Sequence, residues 1–410
     1  MRVQIPRVGL HEALYCGTIA TLPLFAVRGI PGGISLPLAF MLLMVVAIGL
    51  RAVLTSQVPA VFSRLDAALC GYLLVALVGL IDAATPEVLF AIAKSFIYLM
   101  AYLAFKMVLI EIPERRLEQL TGIGLILGTI SFGLVMLYSL YSTGSLGVLF
   151  GSFSYWTVTV QVFNSIDSVF GQSRDEFASV HVMRNSVGEA FAFYVIAALV
   201  YGFRSKLMRL GVAGVNVIFA LSMFSRRALL AVCFGVFGAL ATEVRGVKRA
   251  LAIAAMAAGV LGYMVTSEAS SRLTDFSDHA RAEQYQEAVQ LFGESPYFGH
   301  GYGAKLSTGN YVHNFVLAGA MMMGTLGLIV TLWIFLHVVK ELVLGMRATT
   351  GFQTPLFLII PILGMMVGST VEGIFTMTSW VALALHDVSV LRRKNAAVAV
   401  SYPGASRVEA

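Results

Sequence analysis

The chain has 410 residues, of which 58% are apolar and only 12% charged. With a mean hydropathy of +0.84, too little polar surface remains for a water-soluble or disordered chain, and the excess of basic residues speaks for membrane topology rather than nucleic acid. Alternating strand patterns are absent, so helices rather than a barrel must satisfy the backbone inside a bilayer.

In chain order, apolar runs near the length that crosses about 30 Å of hydrocarbon fall at residues 13–27, 34–50, 67–81, 88–105, 120–140, 187–203, 210–224, 228–244, 250–266, 314–339, 356–369 and 374–385. The expected fold is all-α: one polytopic membrane domain over residues 1–410, with about 12 transmembrane helices and both termini on one side. Most of the 28 basic residues then fall inside, among them Arg51, Arg64, Lys106, Arg115, Arg116, Arg204, Arg249 and Arg392. The positive-inside rule makes that side cytoplasmic. Lys94 alone stands well within a span, with His386 and Asp387 near the end of the last. Cys16, Cys70 and Cys233 all fall in spans, so neither a disulfide framework nor a metal spacing is expected.

Two outer segments are long. Residues 141–186 are expected as a first loop, rich in aromatic, Ser and Thr residues. Residues 267–312 form a second, holding a short helix over 280–292 in which Tyr285, Ala288, Val289 and Phe292 recur at helical spacing and Asp278 caps the start. Gly299, Gly301 and Gly303 follow it as turns. This glycine run follows no strand, so it is not a dinucleotide loop.

Outside arginines run against the topological bias. Arg226 and Arg227 stand at a hairpin tip between two spans, and Arg281 on the loop helix. A guanidinium stays charged and forks onto two oxygens, which suits a diphosphate; an isolated outer arginine can also snorkel to lipid headgroups. His313 and Asn314 open the tenth expected span, followed by Gly319, Gly324 and Gly327, which favour close packing. The imidazole of His313 suits proton transfer or simply ends the helix. Glu283 and Glu287 share a helix face one turn apart, as a base or, more simply, as a solvated face. Arg184 and Glu189 are additional candidates.

Three blocks resemble the O-antigen ligase and O-antigen polymerase family: Ser225-Arg226-Arg227-Ala228-Leu229-Leu230; Arg281 with Tyr285, then Pro296 and Gly299-His300-Gly301-Tyr302-Gly303; and His313-Asn314 with Gly324 and Gly327. The resemblance covers about residues 187–328, and does not choose between Arg226 and Arg227. It implies a GT-C-like fold and a glycosyltransferase that needs no metal or other cofactor, working at the periplasmic face of a bacterial inner membrane. The implied donor is a glycan on undecaprenyl diphosphate, and the acceptor is a second glycan or a lipid A core. Arg226 or Arg227 and Arg281 would hold the diphosphate. His313 would act as base or as a diphosphate ligand, with Arg184, Glu283, Tyr285 and Asn314 as further site residues. The compact second loop favours a polymerase of polysaccharide or O-antigen repeat units over a ligase. A lipid-linked sugar transporter or flippase is the rival of a different class; it requires charges buried within several spans.

Overall fold

The computed structural model describes residues 9–26, 35–55, 62–78, 86–151, 155–170, 180–200, 203, 205–223, 228, 231–233, 235–236, 277–309, 311–312, 314–348 and 377–401. Every regular element among them is helical: α1 (Leu10–Thr21), α2 (Leu36–Thr55), α3 (Arg64–Val78), α4 (Pro86–Glu111), α5 (Glu114–Ser142), α6 (Tyr155–Phe170), α7 (Val180–Val200), α8 (Lys206–Ser222), α9 (Ser277–Glu294), α10 (Phe315–Ala348) and α11 (Met377–Ser401). Four stretches are long and apolar enough to cross a membrane: Leu36–Leu54, Ile92–Glu111, Glu114–Ser142 and Phe315–Glu341. Their outward faces carry Leu43, Val46, Phe96, Ile97, Ile130, Leu134, Ile329 and Trp333, all exposed. Water would penalise such a surface and lipid does not, so this is a helical membrane protein. The expected spans at 250–266 and 356–369, and most of 228–244, lie outside the described residues.

The first helices pack through small residues. A Cβ on Gly124 would collide with Ile19, and one on Gly128 with the Tyr194 hydroxyl. That hydroxyl donates to the carbonyl of Ile19, while Tyr15 and Thr121 share a hydrogen bond at 2.6 Å. Together these contacts fasten α1, α5 and α7 to one another, burying polar atoms that lipid could not satisfy.

Two expectations change here. The segment expected as the first loop is largely structured: α6 occupies residues 155–170, and α7 begins at Val180. α6 buries Val162, Phe163 and Ile166, positions at 3–4 spacing. The aromatic and β-branched composition of this segment hid that period. The tenth span is not one straight helix either. Gly324 has φ 64° and ψ −152°, a region open essentially to glycine alone. A Cβ on Gly319 would strike the Thr331 side chain, and one on Gly327 the Gly319 carbonyl. In a continuous helix, residues 319 and 331 would stand about 18 Å apart. α10 therefore doubles back at Gly324 into a hairpin. Its short arm, residues 315–323, runs about 13 Å, too little to cross. Its long arm, residues 325–348, supplies the crossing length.

The arms differ in burial as this geometry demands. Phe315, Ala318, Ala320, Met321, Met322 and Met323 are all buried. The long arm exposes Leu326, Ile329, Leu332, Trp333 and Leu336 and buries Val330, Thr331, Ile334 and Val338, a split at helical period. The short arm thus lies between the long arm and α3, where Phe315 meets Tyr72 with ring centroids 6.1 Å apart.

Candidate functional site

The expected site residues fall unevenly on the described chain. Arg226, Arg227 and His313 lie outside the described residues. Arg184 and Arg281 lie on α7 and α9, and only their backbone is described. α9 begins at Ser277, so Asp278 falls in its first turn rather than at its cap, and it ends at Glu294, two residues beyond the expected stop. Its inner face rests on the bundle through buried Ala288, while Glu283 is exposed. Glu283 is thereby a solvated residue. Glu287 has structural work, its Oε1 accepting the Ser307 N–H at 2.5 Å. Tyr285 is half-buried against the core.

The turn after α9 is locked onto the hairpin of α10. Pro296 presents its carbonyl to both the backbone N–H and the hydroxyl of Thr325, each at 2.7 Å. The His300 N–H donates to the Met321 carbonyl at 2.9 Å. Gly299, with φ 71°, lies so close to Met322 and Met323 that a Cβ would overlap their backbone. Gly324 is pressed in the same way against Tyr297 and Phe298. The helix that carries Arg281 and the short arm opened by Asn314 therefore form one rigid unit. At the other end of that arm, Asn314 Oδ1 accepts from Val316 N at 3.0 Å and Leu317 N at 3.1 Å, so Asn314 is an N-cap.

Sequence reasoning missed two residues of this unit. Tyr302 lies 3% exposed and reaches Ser95 of α4 at 2.9 Å; its place between two turn glycines is the signal that could have found it. Gln284, three residues after Arg281, has a buried amide oxygen with no hydrogen-bond partner among the described residues.

A second constellation lies elsewhere. Lys106, expected in a basic cytoplasmic segment, is buried on α4, which runs on to Glu111. Its ammonium pairs with both Asp66 of α3 and Asp387 of α11. Asp66 also accepts from the Tyr102 hydroxyl at 2.9 Å and from Ser63 N at 2.7 Å. Ser63 Oγ in turn accepts from Asp66 N at 3.2 Å, capping α3 reciprocally. His386 beside Asp387 is buried too. A charge in so dry a place persists only when paired and hydrogen-bonded; here one ammonium is shared by two carboxylates, and Tyr102 and Ser63 add hydrogen bonds to Asp66. The Arg392 guanidinium then caps α4 by donating to the carbonyls of Leu109, at 2.8 Å, and Ile112.

The same end of the bundle carries two more pairs. Arg51 meets Glu111, and Arg116 grips Glu12 with two bonds at 2.9 and 3.0 Å. The bonds from Arg116 hold the Glu12 carboxyl below its ordinary range, against the opposing effect of partial burial. Comparison with known proteins yields no matching family model and no matching curated protein.

Proposed function

We propose that the protein is a periplasmic-face glycosyltransferase that moves a glycan from undecaprenyl diphosphate to an acceptor hydroxyl, polymerising repeat units. The observation that carries this reading is the locked unit of α9 and the short arm of α10. It joins, in one body, the helix bearing Arg281 and the helix that Asn314 caps, parts of two of the three blocks that resemble the O-antigen ligase and polymerase family. In the proposed reaction the acceptor oxygen attacks the anomeric carbon, and the bond from that carbon to the diphosphate oxygen breaks. The acceptor proton passes to His313 or to the departing diphosphate. Arg281, with Arg226 or Arg227, neutralises the charge that develops on the leaving group, as preorganised donors in a dry site do most effectively. The positive-inside bias of the sequence, which favours both termini in the cytoplasm, supports a periplasmic location for this chemistry.

The test is transfer from a synthetic undecaprenyl-diphosphate glycan by the purified protein. Arg281→Ala is expected to abolish transfer without loss of folded protein, since losing a charge-assisted contact to a buried diphosphate costs about 2–5 kcal/mol. Undiminished turnover would sink the assignment. In a companion arm, transfer persists in excess chelator; loss restored by magnesium or manganese would overturn the metal-free mechanism. Adding a lipid A core acceptor separates ligase from polymerase.

One observation favours a second reading. Charges buried on three different helices, Asp66, Lys106 and Asp387, are what a lipid-linked sugar transporter requires, since intramembrane charges commonly mark transport pathways. Flux of the lipid-linked glycan across proteoliposomes, lost in Lys106→Gln, with no glycan transfer in the same preparation, would establish transport instead.

A further inference from the structure

α7 buries one carboxylate. Glu189 is 1% exposed, among Val187, Ala190, Phe191 and Phe193, all buried. A carboxylate so placed keeps its charge only beside a cation. Among the described residues, the basic side chains on helices packed against α7 stand elsewhere. Arg115 and Arg116 open α5, Lys206 and Arg209 open α8, and Arg392 caps α4 at the charged end. Arg184 shares α7 with Glu189 but is five positions away, off the i+3 and i+4 spacings that face one another on a helix.

Two counts along the helices show what does come near. α7 and α8 are joined by residues 201–205 and run antiparallel, with Phe191 stacked on Phe219 at 4.9 Å. Tyr194 and Asn216 meet adjacent residues of α5: Tyr194 presses on Gly128, and Asn216 accepts from Thr129 at 3.0 Å. Counting on from either pair, Glu189 comes level with Leu221, beside Ser222, the last residue of α8. Thr159 of α6 holds that end by donating to the Ser222 carbonyl at 2.6 Å. The residues described between Ala228 and Val236 are all helical, and a Cβ on Gly235 would collide with Ile196 of α7. This stretch follows α8 after a short turn and so runs parallel to α7. Counting back equally from Gly235 and Ile196 brings Ala228, fully buried, level with Glu189.

Both counts therefore lead to the turn that joins Met223 to Ala228. Arg226 and Arg227 immediately precede Ala228, and the reach of the chain keeps their Cα atoms within about 7 Å of it. We infer that Glu189 is the fixed counter-ion of one arginine of this tandem pair, a positioning residue that leaves the other arginine to an anionic ligand. One guanidinium neutralises the buried carboxylate and pins the turn; the second meets the diphosphate. The pairing stands on the helix register alone, and the identity of the ligand rests on the proposed function.

The experiment is a set of double-mutant cycles, read as thermal midpoints of the purified full chain in detergent without substrate. Glu189→Gln is expected to lower the midpoint by roughly 5 °C or more, and one of Arg226→Gln and Arg227→Gln to do the same, since each strands a buried charge. Their double variant should fall no further than the worse single. The other arginine variant should leave the midpoint unchanged and, titrated with undecaprenyl diphosphate in native mass spectrometry, bind about tenfold more weakly, about 1.4 kcal/mol. Glu189→Asp, which keeps the charge, is expected to keep most of the midpoint, and it carries the cycle if Glu189→Gln does not fold. Arg28→Gln is the control, because Leu22–Ala26 also packs on α7. Additive losses with both arginines, or coupling to Arg28 instead, would overturn the pairing. Coupling to one arginine with undiminished lipid binding in the other's variant keeps the pairing and removes the diphosphate reading. Additive stabilities with lipid binding lost do the reverse.

Discussion

The locked turn between α9 and α10 and the charged end around Lys106 hold helices together by opposite means. At the turn there is almost no side chain: Gly299 and Gly324 let two backbones touch, and the bonds run to main-chain carbonyls. At the charged end the backbone is ordinary helix, and long side chains from α3, α4 and α11 do the joining. The first arrangement fails when an atom is added, the second when a charge is removed. The difference also bears on function. Backbone contacts fix position closely, as the proposed transfer reaction would require of this unit, whereas the ion pairs in the dry interior join α3, α4 and α11.

The largest effect is expected at the turn. Gly324→Val forces a β-branched residue into a glycine-only conformation against Tyr297 and Phe298, so the hairpin must open. Transfer should fall at least about a hundredfold, the cost of displacing catalytic groups by an ångström. Full activity in this variant would show that the unit does not orient the reaction. Next comes Lys106→Met, which leaves two buried carboxylates facing each other. Unfolding in detergent should lose about 3–5 kcal/mol. Adding Asp66→Asn and Asp387→Asn to Lys106→Met should recover much of that loss. A triple variant no more stable than the single one would mean that the cluster holds the helices by shape and not by charge.

The smallest effect lies in the partly buried pair of Arg116 and Glu12 at the same end. Glu12→Gln should cost under about 1 kcal/mol. Because Arg116 lowers the Glu12 pKa, the stabilisation is complete above the ordinary glutamate value of 4.5 and is lost as pH falls through the lowered value. The gap between wild type and Glu12→Gln should therefore close in acid. A gap that persists there would assign the contact to packing.

These regions were not equally legible in the sequence. The helical class, the loop helix and the close packing around Gly319, Gly324 and Gly327 all follow from composition and spacing. The direction of the chain at Gly324 does not, because hydropathy is summed along a run and is blind to a single positive φ; residues 315–341 have the same apolar content folded back or straight. Asn314 was placed correctly at a helix start, and Glu283 on a solvated face, because capping and exposure are local. The Lys106 cluster escaped detection for the opposite reason. Its members stand 40 and 281 positions apart in the chain, and a lysine near a helix end looks like any other residue of a basic loop until α11 is packed beside it. Burial in α6 was hidden by residues equally at home in a strand or an interfacial belt.

Arg392 has a consequence for the order of events during synthesis. Ribosomes deliver α3 and α4 long before α11, so Asp66 and Lys106 can meet and neutralise each other while most of the chain is still unmade. The carbonyls of Leu109 and Ile112 have no such early partner in this arrangement. They wait for a guanidinium encoded some 280 residues later. Docking of α11 therefore comes well after α4 is made, and it caps the last turn of a helix that was among the first to enter the membrane.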